Sequence, residues 1–230
     1  MFNAQYGQQE QVRSVMHGVY GWMSVALAIT AGVSYLVAST PAFFLTLQTN
    51  PGIAIGLFVL QIALVIGLAG WINRMSFTTA LALFLTYAAT LGVSLSVILH
   101  IYTAASIGIT FLTTAGMFSV MAIYGYMTKA DLTSVGSMSI MMLWGLIIAS
   151  VVNIFFRSPA IDILLSGVGV VIFVLLTAYD SQRIKRMAES MVADQETMAK
   201  ISLIGALTLY LDFVNLFLYL LKFMGKRRND

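Results

Sequence analysis

Seven runs of about twenty apolar residues, each long enough for a helix to cross a ~30 Å hydrocarbon core, set what this chain can become. They are Gly21–Ala38, Gly52–Ile72, Phe77–Ile98, Thr103–Tyr126, Met138–Phe156, Ile161–Tyr179 and Ile201–Phe223. Each run is continuously apolar, whereas a barrel strand alternates over about ten residues, so the expected element is the helix. Connections are short: Pro41 and Pro51 bracket the first, and Pro159 lies in the fifth. Hydrophobic residues make up 60% of the chain and charged ones 9%, where a soluble domain carries roughly 25% charged. The expected class is an all-α integral membrane protein with seven transmembrane helices. Its organisation is expected to be a polar N-terminal tail over 1–20, one membrane domain over 21–223 and a basic C-terminal tail over 224–230.

The opening MFNAQYGQQEQVRSVMHG lacks the basic start, short apolar centre and small-residue cleavage site of a signal peptide. It reads as a retained tail, with Arg13 and His17 one helical turn apart at the membrane surface. Ile184–Lys200 alone among the connections is long and charged enough to form a surface helix. A cytoplasmic N-terminus puts Arg13, Arg74, Lys129, Arg183, Lys185, Arg186 and Lys200 inside and leaves only Arg157 between spans outside. A last span that crosses then carries Lys222, Lys226, Arg227 and Arg228 to the outside, against that trend. Crossing is expected, because Ile201–Phe223 is long enough. The net charge of +3 therefore concerns orientation and lipid headgroups, not nucleic acid. No internal repeat supports an inverted-repeat transporter.

The chain has no Cys, which excludes disulfides and thiolate chemistry, and only His17 and His100 for an imidazole site. Its 14 Met are scattered, as flexible apolar packing requires, and not grouped as copper ligands. There is no P-loop and no HExxH. An intramembrane aspartyl protease also uses two acids, but the acids here precede SQRI and FVNL without a Gly-rich context. The chain is expected not to be an enzyme and to hold no cofactor. Gly52 and Gly56 form a GxxxG that allows close helix approach.

Asp212 interrupts GALTLYLDFVNLFLYLLK, the last span, where an ionisable group costs roughly 2.5–3.5 kcal/mol and by default marks a functional site. Its best partner is Asp180, which ends the apolar run VVIFVLLTAYD. Spans two and six run in the same direction, so Arg74 and Asp180 share one end of the bundle. Asp212 lies about eleven residues into span seven, roughly 16 Å deep, and Asp180 nearer the interface. A pair is thus permitted without being required. The alternative is an Asp212 hydrogen-bonded to Tyr, Ser or Thr groups nearby, and an Asp180 that is merely interfacial. Tyr179, Tyr210, Asn215 and Asn153 are the candidate supporting polar groups, Asn153 as an interhelical hydrogen bonder; His100 reads as an interfacial residue.

The segments LTAYDSQRIK at 176–185 and GALTLYLDFVNLFLYLLKFMG at 205–225 stand out, with VYGWM at 19–23, YTAASI at 102–107 and TAGMFSVMAIYGYMTKADL at 114–132. In these, and over nearly all the chain beyond the tail, the sequence resembles the Bax-inhibitor-motif family, particularly its short bacterial members. The resemblance implies a fold with the last helix central and the other six around it, in the inner (plasma) membrane. It implies a di-aspartyl pair, carried onto Asp180 and Asp212, that is associated with pH-sensitive calcium leak. In relatives of that kind an arginine near the end of helix two latches onto the acid of helix six. In the register set by Trp71 that position is Asn73 here, with Arg74 one residue on and turned by about 100°, so the latch falls between the two. Cell-death suppression, which names the family, does not transfer.

Two carboxyl groups in a low-dielectric site do not readily both ionise and so titrate as a unit. Calcium takes 6–8 oxygen ligands, so Asp180 and Asp212 with carbonyls and water would make a weak transit site, calcium being transported or loosely bound. The expected function is a pH-sensitive cation leak. A second reading is a non-transporting regulator that binds another membrane protein, such as a quality-control protease, through Ile184–Lys200 and the tails. A third is a proton-coupled cation antiporter.

Overall fold

In the computed structural model, residues 2–190 and 194–228 are described, with the side chains of 2–7, 48 and 73 excepted. Among the described residues the chain forms α1 (Phe2–Ala38), α2 (Pro41–Thr49), α3 (Pro51–Trp71), α4 (Phe77–Leu95), α5 (Ile98–Ile101), α6 (Ala104–Met127), α7 (Thr133–Phe156), α8 (Pro159–Ser190) and α9 (Gln195–Met224). Seven of these are long and apolar enough to cross a membrane. The chain is an all-α membrane protein. Pro41, Pro51 and Pro159 each open a helix, where a missing N–H leaves no intrahelical bond unmade.

Three boundaries depart from the apolar runs, each for one reason. A half-buried amphipathic turn is helix without being continuously apolar. Residues 8–20, expected as a tail, belong to α1, because Val12, Val15, Met16 and Val19 recur at helical spacing and are buried. Arg13 and His17 are exposed on the other side. The segment expected as a surface helix, Ile184–Lys200, is divided between neighbours: its described residues finish α8 and begin α9. Ile184 and Ala188 are 2% and 1% exposed, so the apolar stripe of α8 runs on past Tyr179. The first connection also holds a helix of its own, α2.

The helices pack as two compact units. One comprises Met1–Tyr102, Ala188–Leu207 and Arg227–Asp230; the other comprises Thr103–Met187 and Thr208–Lys226. In the first, α1 packs along α4. A Cβ at Gly92 would lie 2.7 Å from the Thr30 carbonyl oxygen, so only glycine admits this approach. Hydroxyls stitch the same seam: Thr30 donates to the Ala88 carbonyl at 2.9 Å and Ser34 to that of Gly92 at 2.7 Å. Helix α3 leans on α4 through Gln61, which donates to Thr90 O and Ser94 Oγ. Gly52 and Gly56 face open space, so their GxxxG seats no helix among the described residues. His100, in the short α5, stacks on Phe44 with ring centroids 3.6 Å apart.

In the second unit α6, α7, α8 and the second half of α9 pack together. Two thirds of the most apolar stretch of α9 (67%) is buried, against 6% for α3, which is the burial expected of an innermost last helix. α8 and α9 are antiparallel. Phe173 stacks on Tyr219 at 5.7 Å, and Gly167, nearer the start of α8, meets Phe223, later in α9.

Helix α9 does not turn back. It continues to Met224, and the residues after it are fixed to the turn before α6: Thr103 N–H donates to Lys226 O at 3.1 Å and Arg228 N–H to Ile101 O at 2.9 Å. A tag on the C-terminus and a tag in the 101–106 turn are therefore expected to react with an impermeant label from the same face of the membrane. Labelling of the two from opposite faces would refute the seven-span topology.

Candidate functional site

The continuation of α8 past Tyr179 changes the position of Asp180. Asp180 is no longer at a helix end but ten residues, about 15 Å, before it. The stretch around it is held by polar contacts to α6 and the 128–132 connection. Ser181 Oγ donates to Ala122 O at 2.8 Å. Gln182 grips the connection from both sides, donating to Ala130 O at 2.7 Å and accepting from Leu132 N–H at 2.9 Å. Lys185 Nζ donates to Tyr126 O at 2.9 Å and sits 5.1 Å from the Tyr126 ring centroid. Arg186 pairs with Asp131 at 2.9 Å.

Helix approach is equally close there. A Cβ at Gly125 of α6 would overlap the Ala178 carbonyl oxygen, and one at Gly136 of α7 would overlap the Tyr179 ring. On α9, Phe213 takes Phe111 and Phe118 edge-on at 5.5 and 5.4 Å. Since the next residue along a helix is turned by about 100°, directing Phe213 at α6 leaves Asp212 free to face α8.

Asp180 and Asp212 meet. Their carboxyl groups lie within hydrogen-bonding reach of each other, and both residues are buried, 8% and 5% exposed. A hydrogen bond between two carboxyl groups requires that one of them hold a proton. Among the described residues, Asp180 aside, no hydrogen-bond donor reaches Asp212 Oδ2. The cation placed on Asp180 is Arg183, one turn further along α8, with Nη1 3.9 Å from Oδ1 and the side chain 60% exposed.

The supporting residues divide. Asn215 turns back on its own helix, Nδ2 donating to Leu211 O at 2.8 Å. Tyr210 is fully buried. Tyr179 packs on Gly136. Asn153 joins α7 to α8 as an interhelical bond, donating to Asp162 Oδ1 at 2.9 Å. Arg74 is exposed at the end of a 3-10 turn (Ile72–Arg74), and the side chain of Asn73 lies outside the described residues. Among the described residues no group of three or more His, Cys, Asp or Glu could hold a metal ion. Two carboxyl groups fall well short of the 6–8 oxygens of a resident calcium site.

Residues 12–229 match the family described as inhibitor of apoptosis-promoting Bax1. The inner membrane protein YbhL of Escherichia coli K12 is 46% identical over 218 residues, covering 94% of this chain and 93% of that one. A protein of Borreliella burgdorferi is 47% identical over 212 residues, covering 92% and 91%. One of Rickettsia prowazekii is 42% identical over 221 residues, covering 96% and 92%. The chain belongs to the Bax inhibitor family. Both acid-bearing motifs fall within the matched region, as does the clamped connection that holds Asp180 in place.

Two residues escaped the reading of the sequence. Arg183 stood among interfacial basic residues, yet its i, i+3 spacing from Asp180 puts it on the same helix face. Asp162 went unremarked in the first turn of α8, a position favourable to acids. It pairs with Lys222 of α9 at 3.0 Å.

Replacing Gly125 by Ala is expected to destabilise the protein by about 1–3 kcal/mol, the usual range for overpacking, read as a lower melting temperature in detergent. An unchanged melt would mean that α6 does not approach α8 this closely. Asp131 offers a second check outside the spans. Hydrogen bonds from the Thr133 hydroxyl and N–H, then Arg186, hold its carboxyl down from 3.8 to about 2. Because the folded value lies below the unfolded one, the contribution of this link is fully present above 3.8 and is lost as pH falls through about 2. A carboxyl-carbon NMR titration should give that midpoint, and Arg186→Gln should move it upward.

Proposed function

We propose that this protein is a pH-sensitive cation leak of the inner membrane, slow and permeable to calcium, in which Asp180 and Asp212 are the proton-and-ion switch. The observation that carries the reading is the contact of two buried carboxyl groups. The shared proton joins α8 to α9 and limits the charge of the site. Its loss leaves two like charges in a low-dielectric place, which separate or take up a cation. Two carboxylates with water or carbonyls bind calcium weakly, as transit requires. The name of the Escherichia coli relative supports the location, and family resemblance supports the ion. No chemical step is needed, so the reading is of a non-enzyme.

A regulator that binds another membrane protein would need charged residues free for a partner. The charged residues at the end of α8 are engaged within the chain instead, Lys185 on Tyr126 and Arg186 on Asp131. The leak is preferred because it gives the buried acid pair a role, which docking at the surface does not.

The test is calcium entry into proteoliposomes across a pH series. Asp180→Asn and Asp212→Asn are each expected to change the flux several-fold and to flatten its pH dependence, with the melting temperature little altered because Asn still hydrogen-bonds. Flux and pH profile unchanged in both variants would sink the switch. Absence of calcium flux in the wild-type protein would sink the leak itself.

A further inference from the structure

Asp162 and Asp180 are eighteen residues apart on α8, which is five helical turns, so they face the same way about 27 Å apart. Between them on that face lie Ser166, Gly169 and Phe173. The opposing residues of α9 follow in antiparallel order: Lys222 on Asp162, Tyr219 on Gly169 and Phe173, and Asp212 on Asp180. One seam thus has an acid at each end, a buried serine behind the first acid and a stacked aromatic pair in the middle.

The end opposite the acid pair is built around one oxygen. Asp162 Oδ1 accepts from Lys222 Nζ of α9 at 3.0 Å and from Asn153 Nδ2 of α7 at 2.9 Å. Asn153 is itself held, its Oδ1 accepting from Ser158 N–H at 3.2 Å. Directly behind, Ser166 is fully buried, its Oγ donating to Asp162 O at 2.7 Å. The ammonium of Lys222 occupies the place on a carboxylate that a free cation would take. The Lys222 and Asp162 side chains are 42% and 46% exposed, and a pair so exposed adds little to stability. It can therefore part and re-form without unfolding its surroundings.

We propose that Asp162 and Lys222, steadied by Asn153, form a second gate on the α8–α9 seam, in which a tethered ammonium shields the seam from cations at the end remote from Asp180 and Asp212. The proposal rests on the cation-leak reading for its purpose, but its test reads access and not flux. The natural chain has no Cys, so Ser166→Cys introduces a single thiol immediately behind the pair. In lipid nanodiscs, with both faces open to solvent, that thiol is expected to react slowly with a cationic, membrane-impermeant thiosulfonate. Adding Lys222→Met, or in its place Asp162→Asn, should accelerate labelling several-fold, while adding Lys222→Arg should leave it slow. Melting temperatures measured alongside distinguish gate opening from unfolding, and the variant whose melt matches the parent is the one that decides. Equal labelling rates with and without the ion pair would overturn the gate, as would rapid labelling of Ser166→Cys alone. A wild-type protein without calcium flux would remove the leak reading and leave the labelling result standing.

Discussion

A carboxyl group carried into a bilayer has no water to receive it, and the fold must supply what water would have given. In this chain the receiver of Asp212 is a second carboxyl group, that of Asp180, and the second unit is arranged to bring the two together. α8 has to run past Asp180 before it ends, so that the acid lies within a packed helix and not at a fraying terminus. α6 and α7 have to come close enough to fix that stretch. Glycines stand at both crossings, Gly125 against Ala178 and Gly136 against Tyr179, where a single methyl group would collide. Phe213, held edge-on by two phenylalanines of α6, sets the rotation of α9.

Several other polar groups of the unit are committed elsewhere. Thr114, Ser139 and Thr177 donate to the carbonyl four residues back, at 2.7–2.8 Å, as hydroxyls on membrane helices commonly do. Ser181 is committed to α6 and Asn215 to its own helix. This bears on the two meanings that Asp212 had in the sequence. A structural acid would be dissolved in a network of hydroxyl and phenol groups. Here Asp212 meets Asp180, a second carboxyl group.

Most of the fold was legible because apolar length is a direct consequence of bilayer thickness, and all seven spanning helices lie where the apolar runs put them. What was not legible was amphipathic. Val12 to Val19 and Ile184 to Ala188 bury one stripe while exposing charges on the other, so a count of consecutive apolar residues ends too early at both places. The second bears on the site. With α8 stopped at Tyr179, Asp180 lay nearer the interface than Asp212 and a pair was permitted without being required; α8 in fact continues to Ser190, which puts Asp180 within the helix. The acid pair itself was legible from the energetic exception that Asp212 makes. Arg183 and Asp162 were not, because basic residues and acids near helix ends are ordinary, and only their rotation about α8 distinguishes them. The cation that stands nearest Asp180 lies on its own helix, one turn away.

That rotation gives the seam two ends of opposite character. The Asp180–Asp212 end is buried, and in low dielectric one proton has a large effect on whether two carboxyl groups stay together. The charges of the Asp162–Lys222 end are nearly half exposed, and in water an ion pair is weak, screened by salt and quick to exchange its partner. A seam closed by two buried acid pairs would respond to pH alone and open rarely. One closed by two exposed ion pairs would carry no memory of pH. On the reading developed for this protein, placing one of each on a single face of α8, five turns apart, lets the proton set whether the seam is competent and lets the exposed pair set how freely a cation reaches it.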